Sequence, residues 1–380
     1  MNFVVLVTFF LAWIINGKPN LADIRSFIGI GQYVVAVFCI SILYNNIHVN
    51  IPKCMFKMIS CVTIINILFS VIELFFYNHG VALITLLYTS DSQTSIIGLP
   101  GRFTRAYGAN YSPVVLGVFA FVAFSYMLGY MIFTQNKLSH YKIITFFACI
   151  CIGLIAFSKI VIIGIPILLL LSGLIIVTNR KNKFKKLFLK LAKGTMISSL
   201  SYLFIIFFAS SIGLSGYVKW YFVDNFNIES ALSTRYNNIT VTESDSVGNT
   251  SNNFEDIDVL KEKDENFNNS NDTKDGNLVG AFSLFLDHPI IGVGPGMVNG
   301  EFLGDSELIN ILHNGGVIAF LSYAIFFGGI FILFLIRKEY TKSLILLAIG
   351  ICCVAIPVFS IPCSYPFMAY CISNNQNCEV

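Results

Sequence analysis

Five basic side chains in two polar segments of this 380-residue sequence are of types that suit ligand binding and proton transfer. They are Arg102, Arg105, Arg235, His288 and His313. Arginine offers a planar fork of N–H donors that matches phosphate oxygens, and it keeps its charge at any physiological pH. Histidine titrates near neutral pH and can therefore take a proton from a hydroxyl group. The combination predicts a site that holds a phosphate group beside a proton-transfer step.

The elements that carry these residues must lie in a membrane, because the composition does not suit a soluble protein. Hydrophobic residues make up 56% of the chain and charged residues 12%, and the mean hydropathy is +0.74. Soluble domains carry about twice that share of charged residues. The net charge of +3 is too small to indicate a nucleic-acid partner. We therefore expect an all-α polytopic integral membrane protein.

Nine apolar segments predict nine transmembrane helices within a single membrane domain that comprises residues 1–380. A helix that crosses the hydrocarbon layer needs about 20 mostly apolar residues. The segments are 1–16, 26–44, 58–76, 111–133, 143–158, 160–178, 195–215, 317–336 and 343–361. Segment 81–88 is apolar but too short to cross, so we expect it to be interfacial or re-entrant. A cleavable signal peptide is not expected, since no basic residue precedes the first apolar stretch.

Lysine and arginine in the short loops predict the orientation, because these residues accumulate on the cytoplasmic side. The largest group follows the sixth span and consists of Arg180, Lys181, Lys183, Lys185, Lys186, Lys190 and Lys193. Alternation from this loop puts the N-terminus inside and the C-terminus outside. Two long segments, 77–110 and roughly 216–316, then face the exterior and contain the five basic residues. Within the second, 241–280 has ten acidic residues and reads as a disordered insertion.

The distribution of ionisable groups separates two classes of function. The centres of the predicted spans hold almost none, and Glu73 and Lys159 stand near the outer ends of their helices, where long side chains can snorkel. Ion-coupled transporters usually need such groups at mid-membrane. The outward-facing Arg and His residues instead suit a reaction in which a phosphate-bearing lipid is held while a hydroxyl attacks its first sugar.

An ordered set of short motifs resembles a known family. The motifs are RAYG at 105–108 followed by Pro113, STR at 233–235, DHPIIGVGPG at 287–296, and HN at 313–314 leading into an apolar helix. In this order, over about residues 100–336, the sequence resembles the Wzy-type O-antigen polymerase and O-antigen ligase superfamily. The acidic stretch 241–280 makes the separation of Arg235 from His288 longer than is usual in that superfamily.

The resemblance implies a GT-C-like membrane glycosyltransferase that needs no metal ion or other cofactor. It would transfer a growing glycan from a polyisoprenyl diphosphate carrier to a sugar hydroxyl of another lipid-linked repeat, at the outer face of the bacterial cytoplasmic membrane. Membrane lipids and a chain-length regulator protein would be further partners. The alternative within the family is the ligase reaction, in which the lipid A core is the acceptor. The alternative of another class is a lipid or oligosaccharide transporter.

The resemblance also implies roles for individual residues. The catalytic set would be His313 at the membrane surface, as the base, with Arg105 and Arg235 on the diphosphate. Residues that would bind the diphosphate or the glycan are Arg102, Lys159, Gly292, Gly294, His288 and Asn314. Each has a structural alternative: basic residues can anchor lipid headgroups, the glycines can form a turn, and Pro289 restricts the backbone of His288.

The cysteines suggest packing rather than metal binding. Most lie inside apolar runs, where Cys behaves as a small hydrophobic residue, and none has metal-site spacing with His. A disulfide is open to Cys363, Cys371 and Cys378 if the C-terminus faces an oxidising space.

Overall fold

The computed structural model shows a helical bundle. It describes residues 2–15, 24–46, 51–87, 103, 105–110, 112–133, 139–178, 184–214, 218, 285–294, 297–298, 301–302, 306–355 and 361–373. Arg102, Arg235, Cys378 and the acidic stretch 241–280 lie outside these residues, as does most of the predicted loop 216–316.

The helices in the described part are α1 (Asn2–Ile15), α2 (Ile24–Asn46), α3 (Ile51–Phe75), α4 (Tyr77–Leu87), α5 (Pro113–Phe133), α6 (His140–Ile155), α7 (Lys159–Thr178), α8 (Phe184–Ser211), α9 (Glu307–Ile336), α10 (Tyr340–Ala355) and α11 (Tyr365–Ile372), with a 3-10 turn at Pro362–Ser364. A small antiparallel hairpin pairs β1 (Met297–Val298) with β2 (Glu301–Phe302).

Five of the described helices, α3, α5, α7, α8 and α9, are long and apolar enough to cross a membrane. Shorter apolar stretches occur at Gly31–Asn45, His140–Ile155 and Tyr340–Val354. The prediction of an all-α membrane protein is therefore confirmed at this level. A helix occupies the position of each of the nine predicted segments, and the count of nine crossings stays a prediction.

Helix α5 forms the centre of the bundle. It is apolar on all sides, and every residue from Val115 to Ile132 is buried, as expected for a helix without a polar face. It packs against α6, α7, α8 and α10. Close approach to α10 depends on Gly129, where a Cβ atom would lie 2.8 Å from the Cα atom of Thr341. Small residues at such crossings let transmembrane helices pack tightly.

The last described residues of the chain pack back against the helical bundle. Residues 361–373 turn back and pack against α2, α5 and α10. Lys342 Nζ, in the first turn of α10, donates a 2.8 Å hydrogen bond to the carbonyl of Ser373. The last described residue therefore lies at the end of the bundle where α10 begins, which is the end predicted to be cytoplasmic. This returning segment is too short to be recognised as a span in the sequence, and the side of the membrane on which the C-terminus lies stays a prediction.

The cysteines of this returning segment are thiols. Cys363 and Cys371 are not joined by a disulfide, and Cys371 is buried with its Sγ atom 3.8 Å from the carbonyl oxygen of Lys342. A bond to Cys378 falls outside the described residues.

Candidate functional site

The two halves of the DHPIIGVG…HN pattern are docked on each other around a break in α9. Gly316 has φ 62° and ψ −162°, which is not helical, so α9 consists of a first part, 307–315, and a second part, 317–336. In a continuous helix the N–H groups of Val317 and Ile318 would bond to the carbonyls of His313 and Asn314. The break leaves these four backbone groups without their helical partners.

The loop 289–294 supplies the missing partners. Four backbone hydrogen bonds join it to the break: Val293 N–H to His313 O (2.8 Å), Gly294 N–H to Asn314 O (3.0 Å), Val317 N–H to Pro289 O (2.8 Å) and Ile318 N–H to Ile290 O (3.3 Å). A buried backbone group without a partner costs about 1–3 kcal/mol. The loop and the broken helix therefore stabilise each other and form one unit.

Glycine is required where the two backbones meet. Gly292 has φ +81°, and a Cβ atom there would lie 2.5 Å from the carbonyl oxygen of His313. Gly294 has φ +92°, and its Cβ atom would lie 2.5 Å from the Cα atom of Trp13 in α1. The N–H of Gly292 donates to the carbonyl of His288 (2.8 Å), and that of Gly294 to Asn314. Both amides are thus engaged by protein carbonyls, so in this structure the two glycines shape the loop.

The side chain of His313 is buried, and one of its two ring nitrogens has a hydrogen-bond partner. Only 2% of the residue is exposed, so the imidazole lies within the protein. Its Nδ1 atom lies 2.9 Å from Asn314 Oδ1. In a neutral imidazole whose Nδ1 donates to this amide oxygen, the free lone pair is on Nε2. Nε2 has no hydrogen-bond partner among the described residues.

His288 belongs to the turn that presents the loop. Its N–H donates to the carbonyl of Phe285 (3.2 Å), and its own carbonyl accepts from Gly292. These are backbone contacts, and they fit the structural role that the following proline suggested for this residue.

Arg105 lies across the C-terminal end of α6. Its Nε atom donates to the carbonyl of Ala156 (3.0 Å) and its Nη2 atom to that of Phe157 (3.2 Å). Phe157 has φ +46°, a left-handed conformation that costs a non-glycine residue roughly 1–2 kcal/mol. Carbonyls at a helix C-terminus carry partial negative charge, so the guanidinium stabilises this turn. The two bonds use two of the five N–H donors of Arg105.

Lys159 follows the same turn as the first residue of α7, and it is exposed. It lies two positions after Phe157, whose carbonyl Arg105 binds. The structure therefore brings Arg105 and Lys159 to one junction between α6 and α7. The predicted site residues that the structure describes thus fall into two groups: this helix junction, and the loop docked on α9.

Two residues to which the sequence analysis assigned no functional role, Glu73 and Asn66, hold the loop that carries Arg105. Glu73 Oε2 accepts hydrogen bonds from the N–H groups of Tyr107 (2.8 Å) and Gly108 (3.1 Å). Asn66 Oδ1 accepts from the Ala109 N–H (2.9 Å) and from the side-chain amide of Asn110 (2.8 Å). Glu73 is 1% exposed, so it does not snorkel as the sequence suggested.

A signal for these residues was present in the sequence. Polar residues recur on α3 at Ser60, Thr63, Asn66, Ser70 and Glu73, a spacing of three or four that places them on one helix face. All five are buried. A polar face on an otherwise apolar span indicates a protein-facing side.

Comparison with known proteins assigns no family to this chain. No family model, curated protein or solved structure matches the chain.

Proposed function

We propose that this chain is a membrane glycosyltransferase that polymerises oligosaccharide repeats carried on polyisoprenyl diphosphate, at the outer face of the cytoplasmic membrane. The observation that carries the proposal is the docking of loop 289–294 on the break beside His313. Two motifs that are separated in the sequence meet there, next to an imidazole nitrogen that has no hydrogen-bond partner among the described residues. The ordered resemblance to the Wzy-type superfamily supplies the reaction.

The proposed step is a direct displacement at the anomeric carbon of the donor sugar. His313 Nε2 takes the proton of the acceptor hydroxyl while the hydroxyl oxygen forms the new bond to that carbon. The bond from the carbon to the diphosphate oxygen breaks, and the lipid diphosphate leaves with the electron pair. A diphosphate needs charge neutralisation more than it needs a proton, which is the role of Arg105, Arg235, Arg102 and Lys159.

The burial of His313 sets a condition on this proposal. With 2% of the residue exposed, Nε2 must become accessible when the acceptor binds. Arg105 meets a similar condition, since the N–H donors beyond those on Ala156 and Phe157 must reach the diphosphate. Binding energy from the long glycan and lipid chains can drive such rearrangements.

A transporter is the second candidate, and the polar face of α3 is the observation that favours it. Glu73 is buried in a predicted span, and its Oε1 atom and the Ser70 hydroxyl have no hydrogen-bond partner among the described residues. Buried ionisable groups in transmembrane helices commonly mark ion pathways. The two backbone N–H groups on Oε2 tie Glu73 to a loop, however, which suits an anchor better than a carrier site.

The test is reconstitution of the full chain in nanodiscs with a polyisoprenyl-diphosphate-linked repeat unit. A ladder of products longer by whole repeats supports the proposal, and an unchanged donor contradicts it. Movement of the same lipid-linked glycan across the membrane of proteoliposomes, without formation of longer products, would favour the transporter.

A deletion strain separates the polymerase from the ligase. A surface glycan reduced to a single repeat indicates a lost polymerase. Lipid-linked polymer that accumulates without transfer to the lipid A core indicates a lost ligase.

A further inference from the structure

The segment 105–110 is held from two sides. On one side, the N–H of Ala106 donates to the carbonyl of Ile155 (3.2 Å), and Arg105 binds the end of α6. On the other side, the acceptor oxygens of Glu73 and Asn66 take the N–H groups of the next three residues. Only Ala106 separates Arg105 from the first residue held by α3. A shift of the segment on α3 must therefore move the Arg105 backbone.

The anchor on α3 is built from a charged residue at a buried position. An ionised carboxylate removed from water needs strong hydrogen bonds to be tolerated. Glu73 Oε2 receives two backbone N–H groups at 2.8 and 3.1 Å, so this buried oxygen has hydrogen-bond partners. Gly108 has φ +60° and lies directly against the Asn66 side chain, so that a Cβ atom at this position would clash with Asn66 Oδ1.

We infer that Glu73 and Asn66 are positioning residues for Arg105, which they keep oriented across the α6–α7 junction for the diphosphate. The inference rests on the proposed function and deepens it, because it assigns residues of α3 to the donor side of that reaction. Glu73 and Asn66 act through the loop backbone and do not touch the substrate.

The first test measures turnover in nanodiscs for Glu73→Ala, Glu73→Gln and Ser70→Ala, normalised to folded protein. Ser70 is the matched control, because it is buried on the same face of α3 and its hydroxyl has no partner among the described residues. Glu73→Ala is expected to lower kcat by roughly 30- to 1000-fold, as for loss of one charge-assisted contact in the transition state. Glu73→Gln should lose no more than about 10-fold, because its amide oxygen still accepts both N–H groups. Ser70→Ala should match the native protein.

The second test distinguishes positioning from general support of the fold. In an Arg105→Ala background, Glu73→Ala is expected to cause no further loss of turnover, because its effect passes through Arg105. Additive losses would show that Glu73 contributes independently of Arg105, and they would overturn the inference.

The third test follows the loop itself and needs no substrate. A cysteine placed at Ala109, whose N–H binds Asn66, reports access of a membrane-impermeant maleimide. Labelling should be faster with Glu73→Ala and unchanged with Ser70→Ala. Equal labelling rates in the native, Glu73→Ala and Ser70→Ala proteins would contradict the anchoring of the loop by Glu73. A native protein without polymerising activity overturns the proposed function, whereas an active native protein in which Glu73→Ala equals Ser70→Ala overturns the positioning role alone.

Discussion

His313 and Arg105 each have part of their hydrogen-bonding capacity engaged by the protein and part left over. Asn314 holds Nδ1 of the histidine, and Nε2 has no hydrogen-bond partner among the described residues. Two carbonyls hold the guanidinium of Arg105, and further N–H donors remain. A side chain that is oriented by one contact and reactive through another is pre-organised for catalysis. The sequence identified these residues by their type and their motifs, but not their partners, which are backbone carbonyls and a neighbouring amide.

We expect His313→Ala to abolish polymer formation while donor binding is retained. A general base contributes about 100- to 10000-fold to turnover, so the loss will be plain in a nanodisc assay. His288→Asn is the matched control, and it should act mainly by lowering the amount of folded protein. Long chains made by the His313 variant, or an exchange of the two behaviours, would contradict the assignment.

Arg105→Lys should keep the charge and lose most of the activity. A lysine ammonium is a point donor and cannot bridge the carbonyls of Ala156 and Phe157 as the planar guanidinium does. We expect a loss of roughly 30- to 1000-fold in turnover, together with a lower melting temperature. Arg337→Lys, at an exposed position in the turn after α9, is the control and should behave as the native protein. Equal activity of the two variants would reduce Arg105 to a surface anchor.

The elements differ in how far the sequence could predict them. A run of apolar residues is visible in one dimension, so the predicted segment 160–178 agrees closely with α7. The break in α9 was not predicted, because it needs Gly316 at positive φ and a loop some twenty positions earlier to complete its hydrogen bonds. The polar face of α3 was visible as a spacing, but its partner loop was not.

The docking of loop 289–294 at the break gives a prediction with a control in the second part of α9. Gly292→Ala adds a methyl group 2.5 Å from the His313 carbonyl at φ +81° and should prevent the loop from docking. We expect destabilisation of about 1–2 kcal/mol from the backbone conformation alone, plus the clash. Gly328→Ala meets nothing within 4 Å and should be neutral or slightly stabilising. Melting temperatures of the two purified variants check this, and equal values would refute the docking as described.

For the whole molecule, the predicted topology can be compared with the path of residues 361–373. Alternation counted only segments long enough to cross, and residues 361–373 return along α10 without forming a long helix. The bond from Lys342 to Ser373 fixes the last described residue beside the basic loop after α9. Orientation as a whole still depends on the positive residues of the short loops.

A reporter fused to the C-terminus should therefore be active on the same side as one inserted after Arg337. A cysteine placed at residue 250 should instead react with an impermeant reagent from outside the cell. A C-terminal reporter active only on the outer side would contradict the return of the chain along α10.

The docking of loop 289–294 on α9 has a consequence for how this protein can diverge. All four bonds are between backbone groups, and the side chains of Ile290, Val317 and Ile318 are exposed. Exchange of one apolar residue for another at these positions should have little effect on the docking, because the backbone hydrogen bonds do not depend on which side chain is present. Gly292 and Gly316 have no such freedom. An alignment of orthologues should therefore show invariant glycine at these two positions and varied aliphatic residues at Ile290, Val317 and Ile318. A saturation mutagenesis library selected for function should give the same pattern.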